Sequence, residues 1–165
     1  METPFTHLDG DGRLRMVDVS DKEPTRRRAQ AVCVVRSRAD IFSRAPDANG
    51  LDPVFAARLA GIQAAKRTSQ LIPLCHPLNL NDVQVEIEPT SGGATVRAIV
   101  VTDSRTGVEM EALTACSVAA LSLVNALLAE DSAARCEDLV LERKSGGRSG
   151  DWGRLVDSSD EADPR

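Results

Sequence analysis

The alternation of hydrophobic and polar residues predicts strands in four places along the chain. The β-branched run over residues 29–36 has the composition of a first strand, and residues 83–88 alternate as a half-buried strand does. Residues 94–102 form another β-branched run, and the serine and two glycines at 91–93 predict a hairpin turn before it. The apolar triplet 139–141 predicts a last, short strand.

Two stretches have helical patterns. Asp52 before Pro53 is typical of an N-cap followed by a first-turn proline. The apolar stripe of this helix is Val54, Ala57, Leu59, Ile62 and Ala65. A second helix is predicted over 107–130, where Thr106 and Glu109 have the spacing of a capping box. It has hardly any polar face, so we expect another subunit to cover part of it.

The predicted order is strand, helix, strand, strand, helix, strand, which favours an α+β fold of the ferredoxin-like split βαβ type. We therefore expect an antiparallel sheet with two main helices on one face. The polar ends predict a flexible arm over residues 1–13 and an acidic, mobile tail over 153–165. A single domain over 14–152 remains.

Composition narrows the class of protein. With 165 residues, 42% of them hydrophobic and 27% charged, the chain has the size and make-up of one soluble domain. Aromatic residues at 2% and a net charge of −5 argue against nucleic-acid binding. No targeting segment is evident, and no apolar run approaches the ~18 residues of a membrane span, so we expect no membrane partner. Four cysteines without a C-x-x-C pair favour reduced thiols in the cytoplasm.

A loop rigidified by Pro73 and Pro77 carries the first candidate chemistry. His76 in this loop is suited to carry a proton near neutral pH, and it is equally suited to bind a buried backbone carbonyl. The residues by themselves leave both interpretations open. Cys75 is interpreted as a buried hydrophobic residue, because Cys75 and the adjacent His76 do not by themselves supply the three or four ligands of a metal site.

Glu109 and Glu111 lie at the predicted start of the second helix, where carboxylates favour the helix dipole. They can also bind a donor-rich ring such as guanine. Capping accounts for Glu109. It accounts less well for Glu111, because residues two apart point about 200° apart around a helix.

The segment 144–150 combines two cations with three glycines, so its backbone N–H groups can approach a phosphate. It is not a Walker A loop, which requires a lysine after the second glycine and a following helix. Taken alone, such a segment is more often a solvated linker. The cations at 26–28 and 66–67 are likewise typical of solvated surface.

Five segments taken together resemble one family, the MoaC family of cyclic pyranopterin monophosphate synthases of molybdenum cofactor biosynthesis. They occur in the family's order between about residue 6 and residue 152, over the stretches 16–20 (MVDVS), 60–68 (AGIQAAKRT), 71–78 (LIPLCHPL), 106–115 (TGVEMEALTA) and 144–150 (KSGGRSG).

The resemblance implies a lyase that converts (8S)-3′,8-cyclo-7,8-dihydroguanosine triphosphate to cyclic pyranopterin monophosphate and releases pyrophosphate. It also implies a homohexamer, built as a trimer of dimers with sites at the dimer interfaces, and no resident cofactor or metal; Mg²⁺ bound with the triphosphate stays open. His76 and Glu111 are the expected catalytic groups. The substrate-binding residues expected are Leu74, Cys75, His76, Glu109, Met110, Glu111, Arg27, Lys66 and Lys144.

The sequence departs from the family at its acid/base positions. Asn125 stands where the family has a catalytic Asp, and Leu128 stands in place of a Lys one turn beyond. No lysine occurs between Lys22 and Lys66, so a family lysine before the first helix has no counterpart. The loss of one general acid or base typically lowers the rate of the catalysed reaction by ~10²–10⁴-fold.

Two hypotheses follow from these departures. The first is an active, divergent synthase that uses other groups, such as His76, Arg44 or Asp52. The second is a non-catalytic paralogue that binds the substrate or product, or joins an active copy in a mixed oligomer.

Overall fold

The structure, a computed structural model, describes residues 7–43 and 52–154. Its elements in chain order are β1 (Thr25–Arg36), α1 (Pro53–Ala65), α2 (Thr68–Leu71), β2 (Asp82–Thr90), β3 (Gly93–Ser104), α3 (Glu109–Leu127), β4 (Arg135–Ser145) and β5 (Trp152–Gly153). The strands form one antiparallel sheet in the order β2-β3-β1-β4-β5. The α+β class and the ferredoxin-like arrangement predicted from the pattern are confirmed.

The core lies between the sheet and the two long helices. Every second residue of β1 and β3 is buried against the helices, because side chains alternate across a strand. These residues are Ala29, Ala31, Cys33, Val35, Ala94, Val96, Ala98 and Val100. The side chains are small, so α3 lies close to the central strands, and most of its own buried residues are also small, with four alanines, a cysteine and a threonine among nine.

Gly61 sets the distance between α1 and α3. A Cβ atom at this position would lie 2.8 Å from the carbonyl oxygen of Ala115 and 3.1 Å from the Cβ of Ala119. The two helices can therefore touch backbone to backbone only because residue 61 has no side chain. This contact within the helical layer fixes the position of α3 relative to α1.

Several predicted details were wrong. The second main helix begins at Glu109 and not beside Thr106; Val108 occupies the N-cap position, and no side chain caps it. Leu59, assigned to the buried stripe of α1, is 48% exposed, and a short helix, α2, begins the proline-containing loop. The N-cap at Asp52 is confirmed, since its Oδ1 accepts a hydrogen bond from the N–H of Val54 at 2.8 Å.

Some predictions fall outside the described residues. Arg44 and the segment up to residue 51 are among these, as are residues 1–6 of the predicted arm and 155–165 of the predicted tail. In the part of the chain that is described, α3 alone has the length and hydropathy to cross a membrane, and half of that stretch is buried inside the fold. This burial is what a core helix requires.

The close approach at Gly61 gives a prediction for stability. Gly61→Ala should lower the free energy of unfolding by about 1–3 kcal/mol, because the added methyl group meets the backbone of α3. Urea unfolding measures this change. Gln63→Ala, at an exposed position of the same helix, is the control and should stay within about 0.5 kcal/mol. A Gly61→Ala protein more stable than the original chain, as helix propensity alone would give, would show that the helices are not in contact there.

Candidate active site

A cleft of about 310 Å³ opens where the proline-containing loop meets the first turn of α3. Six of the residues expected to bind substrate line it: Leu74, Cys75, His76, Glu109, Met110 and Glu111. The fold thus brings together two segments more than thirty residues apart in sequence. The remaining wall is formed by Leu78, Thr106, Gly107 and four residues near the N-terminus, His7, Val17, Val19 and Lys22.

The loop side of the cleft has a strained backbone. Leu74 has a φ of 66°, in the left-handed region that residues with a side chain rarely adopt. Pro73 restricts the chain just before it, and the N–H of Cys75 donates to the carbonyl of Ile72 at 3.3 Å just after it. Strain of this kind persists only where the surroundings hold it, and here it presents Cys75 and His76 to the cleft.

Glu111 is the most unusual group in the cleft. Glu111 is only 4% exposed to solvent. Burial raises the pKa of Glu111 to about 7; its own backbone N–H opposes this rise, and the charge of Glu109 adds to it. Near neutral pH both protonation states are therefore populated, as a general acid or base requires.

Glu109 has a different partner. Lys144, at the end of β4, places its Nζ 3.1 Å from a carboxylate oxygen of Glu109 and donates to Ser149 at 3.2 Å. The carboxylate of Glu109 also lies against Gly107, where a Cβ atom would overlap it. This ion pair gives Glu109 a cationic partner in β4, in place of the predicted capping box with Thr106. It also brings Lys144 to the edge of the cleft, although Lys144 lines an adjoining groove and not the cleft itself.

Arg27 lies beside a second cavity of about 430 Å³, together with Lys22, Arg148 and Gly147. Its guanidinium donates to the carbonyls of Ser104 at 3.0 Å and Arg105 at 3.2 Å. Lys22 lines both this cavity and the cleft, so the two spaces adjoin at its side chain.

The glycine-rich segment is a folded turn packed on β1. Gly146 has a φ of 86°, and a Cβ there would lie 2.1 Å from the carbonyl oxygen of Arg26, so only glycine fits. The N–H of Gly146 donates to Asp151 at 3.1 Å. One backbone donor that was expected to face a phosphate is therefore already occupied.

Three predicted positions lie away from the cleft in the single chain. Lys66 is exposed just after α1. Asn125 is exposed near the end of α3, fourteen residues beyond Glu111, and the helical rise separates them by about 21 Å. Leu128 follows α3 and is 46% exposed. A single chain does not bring Asn125 to His76 and Glu111.

The N-terminal residues of the cleft were not among the predicted site residues. His7 falls in the predicted flexible arm, and Lys22 was not assigned to a site. Two signals pointed to them: His7 is one of only two histidines, and Val17 and Val19 alternate with polar or exposed neighbours. Within residues 7–43 and 52–154, no three His, Cys, Asp or Glu side chains are grouped so that they could hold a metal ion.

A family model and several known proteins are similar to this chain over most of its length. The model of the MoaC family matches residues 16–147. A cyclic pyranopterin monophosphate synthase of Nocardioides sp. is 48% identical over 156 residues, which cover 91% of this chain and 95% of the relative. Proteins of the same name from Brucella ovis and Streptomyces avermitilis are 47% and 46% identical, over 92% and 91% of this chain and 94% and 89% of the relatives.

The buried carboxyl group of Glu111 gives a prediction for pH dependence. Its pKa in the folded protein, about 7, exceeds its ordinary value of 4.5, so the folded state binds the proton more tightly. The free energy of unfolding should therefore fall as the pH rises from about 4.5 to 7. Glu111→Gln should remove this fall, a difference of at most about 3 kcal/mol.

Chemical unfolding at pH 4.5 and pH 8 measures this difference. Glu88→Gln, at a side chain 63% exposed on β2, is the control. If the free energy of unfolding changed with pH to the same extent in Glu111→Gln and in the original chain, Glu111 would not be buried as a carboxyl group.

Proposed function

Because the chain belongs to the MoaC family, we propose that it converts (8S)-3′,8-cyclo-7,8-dihydroguanosine triphosphate to cyclic pyranopterin monophosphate and pyrophosphate, in molybdenum cofactor biosynthesis. The observation that carries the proposal is the cleft in which His76 and the buried Glu111 lie together. Three of the five segments that resemble the family, 16–20, 71–78 and 106–115, supply residues to its walls.

The proton transfers of the reaction require groups that change protonation state near neutral pH. A neutral imidazole at His76 can accept a proton, and Glu111 can hold or release one because its pKa is about 7. When ionised, Glu111 can also accept hydrogen bonds from the adjacent N–H donors of a guanine-derived ring. Met110 and Leu74 supply apolar contact to the ring.

The release of pyrophosphate requires cations at the leaving group. Lys22 lies where the cleft adjoins the second cavity, and Arg27 and Arg148 line that cavity. The three cations outnumber the carboxylates of Asp21 and Glu23, which line it as well. We assign the triphosphate to this side, where the cations offset the charge that develops on pyrophosphate as its bond to the α-phosphorus breaks. Mg²⁺ carried in with the triphosphate is compatible with this placement, and no other cofactor is part of the proposal.

The proposal includes a homohexamer, a trimer of dimers, with a nucleotide-derived small molecule as its ligand and neither nucleic acid nor membrane as a partner. Apolar side chains on the outer faces of the helices support an interface: Phe55 and Leu59 on α1 and Leu121 on α3 are 58%, 48% and 58% exposed. A second copy would also supply the Asn125 end of α3 to the cleft. The free thiols of the described cysteines fit a cytoplasmic location.

A second function is favoured by the substitutions at Asn125 and Leu128. A binding site that is retained while the family's Asp and Lys are replaced fits a non-catalytic paralogue. Such a chain would bind the substrate or product, or would join an active copy in a mixed oligomer.

Single-turnover measurement separates the two functions. We expect the purified protein to release pyrophosphate from the cyclised dihydro-GTP, and His76→Ala to slow this release by ~10²–10⁴. Asn79→Ala, an exposed position of the same loop outside the cleft, is the matched control. Tight binding without release would instead identify a binding or partner subunit.

Restoring the family's acid/base pair should raise turnover. In Asn125→Asp with Leu128→Lys, both side chains are at exposed positions, so the fold should tolerate the change. We expect a gain of at least about tenfold, the low end of what one positioned acid/base group contributes, and the two single variants show which group matters. An unchanged rate would mean that the missing lysine before α1 or the geometry of the site also limits turnover.

A further inference from the structure

Residues 7–22, called the strap below, form one wall of the cleft without belonging to the sheet or to either long helix. The strap precedes β1 and contains no named strand or helix. Four of its residues line the cleft: His7, Val17, Val19 and Lys22. It thus faces the proline-containing loop and the first turn of α3.

The strap has no polar attachment to the rest of the described chain. Its hydrogen bonds are all internal: Arg15 donates to the carbonyl of His7, the N–H of Arg13 to the side chain of Asp9, and Ser20 to the side chain of Asp18. Its one ion pair, between Arg13 and Asp11, is internal as well. Outside the cleft most of the strap is exposed, with Leu14 at 77% and Met16 at 46%, and Leu8 and Asp9 are partly buried.

Val17 and Val19, both partly buried, are the apolar residues that the strap places at the cleft. Segments with few buried contacts and solvent-exposed hydrogen bonds open at low free-energy cost. The internal turns at Asp9 and Asp18 nevertheless give the strap a defined local shape, so it can move as a unit.

The two polar side chains that the strap presents to the cleft are well placed for a ligand. With His7, both histidines of the chain line one cleft, and Lys22 lies where that cleft adjoins the cavity of Arg27 and Arg148. Neither side chain has a hydrogen bond or an ion pair within the described residues. Both can therefore bind a ligand without first breaking a contact in the protein.

We propose that the strap closes over the bound ligand, with His7 hydrogen-bonded to the ring-bearing part and Lys22 to the phosphates. The identity of the ligand rests on the proposed function. The ligand contacts add to the apolar residues that already lie beside the cleft, so the ligand shifts the strap from open to closed states. His7 and Lys22 add to the ligand contacts made by the loop and α3.

Limited trypsin digestion tests closure, because Arg13 and Arg15 lie on the exposed side of the strap. The full chain is digested with and without the cyclised dihydro-GTP under anaerobic conditions. Cleavage after these arginines should slow roughly tenfold with ligand, as one or two charge-assisted contacts would give.

Variants assign the closure to the two side chains. His7→Gln and Lys22→Met should each weaken ligand affinity roughly tenfold in calorimetry and reduce the protection from trypsin. Leu14→Gln, at a strap position outside the cleft, is the matched control and should leave both quantities unchanged.

The outcomes separate the strap from the proposed function. Ligand binding with unchanged cleavage after Arg13 and Arg15 would overturn closure and leave the proposed function standing. Unchanged affinity in both strap variants would overturn the assignment of His7 and Lys22. A chain that binds no ligand would overturn the proposed function, and the strap inference with it.

Discussion

The packing of α3 between the central strands and α1 is the constraint on which the rest of the structure depends. Small side chains on β1, β3 and α3 let the helix lie close to the sheet, and Gly61 lets α1 touch its backbone. Because interiors are packed at crystal-like density, α3 has little freedom to shift along or rotate about its axis. Its first turn is therefore fixed in space, and Glu109, Met110 and Glu111 with it.

This fixed first turn determines the electrostatics of the cleft. Glu111 points into the protein and loses solvent, which raises its pKa, whereas Glu109 faces Lys144 and forms an ion pair. Two carboxylates two residues apart thus acquire different properties. The same division of roles between neighbouring carboxyl groups is common in enzymes that move protons.

The length of α3 separates the cleft from the other end of the helix. Asn125 lies about 21 Å from Glu111 along the axis, so no rearrangement of side chains within one chain joins the two. A site that uses both ends requires two copies. In the proposed oligomer, the substitutions at Asn125 and Leu128 would change what one copy offers to the cleft of another, whereas His76 and Glu111 meet within one chain.

Local patterns in the sequence determined the elements and their order. Alternation along β2 and β3, the proline after Asp52 and the apolar α3 depend on neighbours in the chain, so they predicted the split βαβ fold and the two segments that meet at the cleft. The capping box was wrong because Glu109 has a cationic partner in β4, a residue 35 positions away. Only the tertiary structure placed His7 and Lys22 at the cleft and left Lys66 and Asn125 outside it, since these positions depend on contacts between distant parts of the chain.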